Sequence, residues 1–304
     1  MTEALLVDNV VKCYSSSWGR PPKEALRGVS LSIPRGETFG FIGPNGAGKS
    51  TLIKILIGAL RPSAGVVKMF GLDPSEPKAR QGLGFVPENP SMPEHLTPAE
   101  ILLMGMRLHG VKTPRGERAH FLSWLERFDL GHVADSPVRG FSKGMTQRTA
   151  LAHALAIEPR LLILDEPLSG LDPVGRRDVV DILDEYRKRG GTLFFSSHVL
   201  HDVERIADRF GLIAGGELLT IRSPSDVISD QADVYVLRFR SEHPVADSVE
   251  IRPGLHLIEA VASEVSERID ELQHAGGVLQ DVLPKHSLES VFFKAIGQPV
   301  DKNA

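Results

Sequence analysis

The sequence predicts an α/β fold: a parallel sheet covered on both faces by helices, preceded by antiparallel strands, interrupted by a helical insertion and followed by a small α+β domain. Three observations carry this expectation. The runs TFGFI (38–42), LLILDE (161–166) and TLFFS (192–196) are continuously apolar, as strands buried on both faces are. Helically spaced segments separate the later runs, and strand–helix–strand alternation favours a parallel sheet. Within the first forty residues, ALLVDNVVKCY and GVSLSIPRGETFGFI alternate apolar and polar residues, the pattern of antiparallel strands.

The elements follow in order. A turn-rich insert, SSSWGRPP (15–22), separates the first two strand blocks and is expected on the surface. After TFGFI comes a glycine-rich loop and then a helix pattern, TLIKILIGAL. The turn RPSAG (61–65) leads into a strand, VVKMFG, and QGLGFVPENP (81–90) holds a short strand running into a proline-studded loop. Thr97, Pro98 and Glu100 form a helix start, with an N-cap, a first-turn proline and a capping-box acid. Residues 90–158 are expected to be a helical insertion. The turn SGLDP (169–173) opens a helix with Val179, Ile182, Leu183 and Tyr186 on one face, stopped by Gly190 and Gly191. The expected division is 1–222, a linker at 223–233, and 234–304. The last part has a strand at 233–240, a helix carrying Val265, Ile269 and Leu272, and a final helix beginning SLESVFFK (287–294).

Composition narrows the function classes. The 304 residues are 41% hydrophobic and 24% charged, ordinary for a globular chain, and the net charge of −4 gives no sign of wholesale nucleic-acid binding. Cys13 is the single cysteine, so no intrachain disulfide framework exists, and it is expected as a reduced core residue. MTEALLVDNVVKCY has no basic region followed by an apolar one, so no signal peptide is expected. The apolar runs are far shorter than the roughly 20 residues that span a bilayer. A soluble, intracellular chain is expected, reaching any membrane only through a partner.

The chemistry centres on GFIGPNGAGKST (40–51). Gly43, Pro44, Asn45, Gly46, Ala47, Gly48, Lys49, Ser50 and Thr51 stand between a buried strand and a helix, the required context of a phosphate-binding loop. Glycines let several N–H groups face one anion, and the helix opening at Lys49 adds its positive end. Lys49 is expected to reach the β- and γ-phosphates of a nucleoside triphosphate, and Ser50 to ligate Mg²⁺. Asp165 and Glu166 end an apolar strand. Asp165 is placed to hold the Mg²⁺ shell, and Glu166 to polarise an attacking water. Tyr14 ends the first strand block, where stacking on an adenine and packing as a strand tyrosine are both open; Trp18 is a weaker rival for stacking.

The stretch FSKGMTQR (141–148), ahead of those acids, resembles the LSGGQ-like signature of ABC ATPases. Ser142 is expected to cap a helix running to Glu158, so that Ser142, Lys143, Gly144 and Met145 make a second anion site. The resemblance extends over about residues 4–222, and it implies that these four residues close over the ATP of an opposite subunit in a head-to-tail dimer. It implies that Tyr14 stacks on adenine, that Ser169, Gly170, Leu171 and Asp172 form the loop joining the subunits, and that His198 is the switch histidine beside the catalytic Glu166. Glu88 stands where most ABC ATPases have glutamine; a metal and coupling role is expected for it. Pro87 with Glu88, the S-K-G-M signature, the appended small domain and SLESVF (287–292) resemble ATPases paired with separately encoded permeases in bacterial exporters. The resemblance therefore implies ATP and Mg²⁺ as ligands. It also implies a transmembrane permease docking on residues 88–97, a second copy as partner, no nucleic acid, and a place at the cytoplasmic face of the cell membrane. An importer subunit, or a soluble ABC ATPase acting on ribosomes or DNA, is the alternative. A single phosphate loop and the lack of a heptad tract weigh against the soluble form.

Overall fold

The computed structural model describes residues 3–15, 23–113, 116–226, 234–241, 245 and 247–284. The chain divides into two compact units, Met1–Ile221 and Arg222–Ala304. In the first, β1 (Glu3–Tyr14) and β2 (Lys23–Pro34) pair antiparallel. The chain then enters β3 (Thr38–Ile42), all five residues of which are buried. The antiparallel expectation for this stretch ends at Pro34: β3 pairs parallel with its neighbours, because a strand buried on both faces belongs inside the helix-covered sheet. Helix α1 (Lys49–Leu56) is shorter than its apolar pattern. Gly58, at φ +74°, turns the chain out of the helix, and a Cβ there would lie 2.2 Å from the Pro74 carbonyl oxygen.

β4 (Ala64–Met69) returns to the free edge of β1, completing a three-stranded sheet ordered β2-β1-β4. β5 (Leu83–Val86) leads into the helical insertion of α2 (Pro98–His109), α3 (Glu117–Arg127) and α4 (Lys143–Ala156). β6 (Leu161–Asp165), α5 (Pro173–Lys188), β7 (Thr192–Ser197), α6 (Leu200–Ile206), β8 (Arg209–Ala214) and β9 (Glu217–Arg222) follow. The large sheet is ordered β5-β6-β7-β3-β8-β9, with parallel pairing from β5 to β8.

Alternation along these strands decides what lies on each face. Phe39, Phe41, Leu161, Ile163 and Phe194 join one core cluster with Leu52, Ile53, Ile55 and Leu56 of α1 and with the apolar face of the small sheet. Helix α1 is thus held between two sheets, and each buried side chain contributes roughly 1.5–3 kcal/mol. On the other face Gly40 admits α6: a Cβ there would lie 2.8 Å from Cγ1 of Val203.

The helical insertion starts as its residues require. Thr97 Oγ1 accepts from the Glu100 N–H at 3.2 Å, and the Thr97 N–H donates to Glu100 Oε2 at 2.9 Å. Ser142 Oγ accepts from the Met145 N–H at the start of α4. α2 approaches α4 closely at Gly105, where a Cβ would lie 2.2 Å from His153 Nε2. The second unit has β10 (Val234–Arg240), β11 (Val249–Arg252), β12 (Leu255–Val261), α7 (Val265–His274) and β13 (Val278–Pro284). Its sheet is ordered β11-β12-β10-β13, and α7 contributes Leu272 to a core with Leu237, Phe239, Ile258 and Ala260.

Cys13 departs from the core position expected for it. It lies half-buried near the end of β1, its N–H donating to Ser63 Oγ at 3.0 Å, because the strand has by then run past the apolar cluster. Trp18 with the rest of 16–22, residues 227–233 of the expected linker, and the segment 287–294 fall outside the described residues. No helix among the described residues is long and apolar enough to cross a membrane.

Burial pushes the His153 imidazole below its ordinary pKa, with the charge of His109 adding a smaller push the same way. The folded state therefore holds this ring neutral. The associated stability is present above the unfolded pKa of about 6.5 and is lost as pH falls through the folded value. The urea midpoint is expected to drop between pH 7.5 and pH 5, and to drop less in His153→Gln; equal drops would contradict this assignment.

Candidate nucleotide-binding site

Parallel pairing brings the carboxyl ends of β3, β6 and β7 to one edge, with Ile42 opposite Ser197 and Asp165 opposite Ser196. The glycine-rich loop leaves β3 at this edge and doubles back into α1. Two of its glycines are required by space: a Cβ at Gly43 would lie 2.3 Å from the Ile213 carbonyl oxygen, and one at Gly48, φ +116°, 2.6 Å from that of Ala25. A cavity of about 460 Å³ opens above the loop. Pro44, Asn45, Gly46, Gly48, Lys49, Ser50 and Thr51 form its floor, and Tyr14, Glu88, Asp165, Glu166 and His198 its walls. Gly43 and Ala47 stand behind that lining.

Lys49 is the electrostatic centre. Its side chain is 7% exposed, and its ammonium donates to the Gly43 carbonyl oxygen at 2.6 Å and lies 3.4 Å from Glu166 Oε1. The other carboxylate oxygen, Oε2, is 2.7 Å from His198 Nδ1. An ionised carboxylate only accepts, so this contact places a proton on Nδ1 and leaves Nε2 of a neutral ring as an acceptor. Glu166 has φ +51°, an uncommon backbone state that turns its side chain from the strand end towards Lys49 and His198.

Ser196 was not singled out from the sequence, where a serine in a buried strand carries no distinguishing signal. Its hydroxyl, fully buried, donates to Asp165 Oδ1 at 2.6 Å and accepts from the Glu166 N–H at 2.9 Å. One side chain thus orients both acids. Lys23 also lines the cavity, adding a second ammonium that lacks a motif of its own. Behind Glu166, burial raises the pKa of the Asp202 carboxyl, with Arg176 opposing the shift.

Tyr14 stands at the cavity wall, 39% exposed, with Lys12 Nζ 5.5 Å from its ring centroid. Its ring is thereby available to a ligand rather than packed in the core. The residues Ser142 to Met145 do not line this cavity. They lie instead beside 169–172: a Cβ on Gly144 would be 3.5 Å from the Gly170 carbonyl oxygen, and Arg148 reaches Asp172 at 3.2 Å.

The donor set suits Mg²⁺. Ser50 offers a hydroxyl and Asp165 a carboxylate oxygen, both hard ligands. Among the described residues no group of three or more His, Cys, Asp or Glu could hold a metal ion by itself, and Mg²⁺ usually takes several of its ligands from phosphates and water.

An anion cradle with a buried lysine, facing two carboxylates across one sheet edge, belongs to a phosphate-loop nucleoside triphosphatase. The ABC transporter family model matches residues 26–169. An uncharacterised ABC transporter ATP-binding protein of Nostoc sp. is 36% identical over 234 residues, covering 76% of this chain and 70% of that protein. ABC transporter A family member 7 of Arabidopsis thaliana is 32% identical across 99% of this chain, which spans only 31% of that protein's length. Among solved structures, a dimeric post-hydrolysis ATP-binding cassette bound to ADP and Pi superposes with a TM-score of 0.66 at 25% identity, covering 72% of this chain and 98% of that one. The chain belongs to the ABC transporter ATP-binding protein family, and it has the ABC ATPase fold.

Ser196→Ala would leave a buried carboxylate oxygen and a buried N–H without their partner, at about 1–3 kcal/mol. The ATPase rate is expected to fall about tenfold, measured by phosphate release beside a urea titration. A rate equal to wild type would mean that Ser196 does not position the acids.

Proposed function

We propose that this chain binds and hydrolyses ATP as one of two subunits that drive export through a separate transmembrane permease. The observation carrying the proposal is the buried Lys49–Glu166 pair, extended to the exposed His198, beside the phosphate loop, with the signature residues 142–145 outside the same cavity. A cavity lacking that second anion site is completed by a second copy placed head to tail. Ser142, Lys143, Gly144 and Met145 of one copy then close over the nucleotide of the other, and Ser169, Gly170, Leu171 and Asp172 meet across the interface.

The geometry supports the following roles. Without nucleotide, Lys49 and Glu166, each largely buried, offset one another's charge. A triphosphate competes for Lys49 and releases Glu166 to accept a proton from the attacking water, while the bond from the γ-phosphorus to the ADP oxygen breaks. His198 holds the carboxylate in place, and Tyr14 offers its ring to adenine. Ser50 and Asp165 would hold Mg²⁺, whose charge offsets that of the phosphates; Glu88 would contact its hydration shell. Nucleotide binding and release bias the permease between two states through differential affinity.

Export is supported by the resemblance of Pro87–Glu88, the S-K-G-M signature and the appended small unit to exporter ATPases. Match to a plant ABC transporter over nearly the whole chain supports a transporter role for both units. The permease would dock on residues 88–97 at the cytoplasmic face of the membrane.

Glu166→Gln keeps the side-chain shape and removes the base. With ATP and Mg²⁺ its mass by light scattering is expected to double, and tagged protein is expected to recover a multi-span membrane protein from detergent-solubilised membranes. A persistent monomer would count against the head-to-tail dimer. Recovery of ribosomes or DNA, with nothing integral to the membrane, would replace the transporter reading.

A further inference from the structure

The first unit holds a second cavity, of about 440 Å³, at the other edge of the parallel sheet. Arg160, just before β6, and Thr192, which opens β7, belong to its lining, whereas the nucleotide cavity lies where these strands end. Five strand residues separate the two edges by about 17 Å. Its volume lies in the range of small-molecule sites. Helices α3, α4 and α5 contribute Trp124, Leu155 and Tyr186, giving it an apolar, partly aromatic body.

Its charges are unevenly matched. Four arginines line it against two carboxylates, Glu158 and Glu185. Arg127 and Arg189 both turn to Glu185, the first by a short hydrogen bond. Arg35 and Arg160 have no ion-pair partner among the described residues; both lie over the ring of Phe70, their guanidinium carbons 5.2 and 4.0 Å from its centroid. Both arginines are exposed, so solvent screens part of their mutual repulsion, and one aromatic ring attracts a cation without cancelling the rest. A recess of about 230 Å³ shares Arg35 and Phe70 with this cavity and adds Lys68 together with the carboxylate of Glu3, which accepts from Ser32 Oγ at 2.7 Å.

Two backbone turns place the lining. Phe70, at φ +50°, stands in the tight turn closed by the reciprocal Met69–Leu72 hydrogen bonds, and Glu158, at φ +52°, follows the end of α4, where a left-handed residue commonly stops a helix.

We propose that this cavity is a second ligand site, for a small molecule combining a planar aromatic body with a carboxylate, sulfonate or phosphate. The aromatic body lies along Trp124, Leu155 and Ile182, and the acid is taken, beside Phe70, by Arg35 and Arg160, whose planar forks suit bidentate contacts. The inference stands whether or not the chain serves an exporter, because it uses none of the nucleotide-site residues.

The test uses two fluorescent probes of matched shape on the full chain: 1-anilinonaphthalene-8-sulfonate and its uncharged counterpart N-phenyl-1-naphthylamine. The sulfonate is expected to bind at one site, at least about tenfold tighter than the neutral probe, and to remain bound under saturating ATP and Mg²⁺. In Arg35→Ala/Arg160→Ala the preference for the sulfonate is expected to vanish. Arg160→Gln, checked for native circular dichroism, is expected to show a smaller loss and covers the case of a misfolded double variant. Equal affinity for the two probes, absence of saturable binding, displacement by ATP, or a preference unchanged in folded variants would each overturn the proposal.

Discussion

A lysine whose side chain is only 7% exposed is the constraint on which the site depends. Removing such a charge from water costs several kcal/mol unless compensating groups are built around it. Here they come from two places distant in sequence: the Gly43 carbonyl oxygen at the end of β3 and the Glu166 carboxylate after β6. The compensation works only if β3 and β6 end at the same edge, with β7 between them carrying Ser196 and His198. The strand order β6-β7-β3 meets that condition. The sheet registers are thus electrostatic requirements of the site as much as packing solutions.

Compensation in turn explains the strained residue. Glu166 must satisfy Lys49 with one oxygen and His198 with the other. A strand continuing beyond Asp165 in extended geometry would point the next side chain to the opposite face. The left-handed φ at Glu166 interrupts that alternation, and the Ser196 hydroxyl holds its N–H while also holding Asp165. Two adjacent acids can therefore serve one cavity.

Much of this was legible in the sequence because it is local. The loop glycines, the Thr97 capping box and the Ser142 cap are set by residues within a few positions of one another, and a linear reading recovers them. Continuous apolar runs likewise marked β3, β6 and β7 as doubly covered strands. What escaped depends on contacts across the chain. Nothing beside Ser196 shows that it will bridge two acids some thirty positions away. The end of α1 depends on Gly58 meeting Pro74, whereas the apolar pattern continues past it. Cys13 misled because its composition class favours burial, but its strand outruns the core. Alternation through residue 42 also hid the passage from the antiparallel to the parallel sheet, which burial of every β3 residue reveals.

The arginine-lined cavity illustrates the same limit in a stronger form. Arg35, Phe70, Trp124 and Arg160 come from a turn after β2, a turn after β4, helix α3 and the entry to β6, with no spacing that would group them. They converge because parallel strands have two ends. Once the carboxyl ends are committed to nucleotide, the amino ends face the segments that return to the sheet, and charged residues at those turns meet there. At the nucleotide edge Lys23 and Lys49 face the carboxylates of Glu88, Asp165 and Glu166, and the N–H groups of the glycine-rich loop supply the positive potential that suits a phosphate. At the opposite edge four arginines line the cavity against Glu158 and Glu185, and Arg35 and Arg160 share one aromatic ring, so a bound anion would relieve the repulsion between those two.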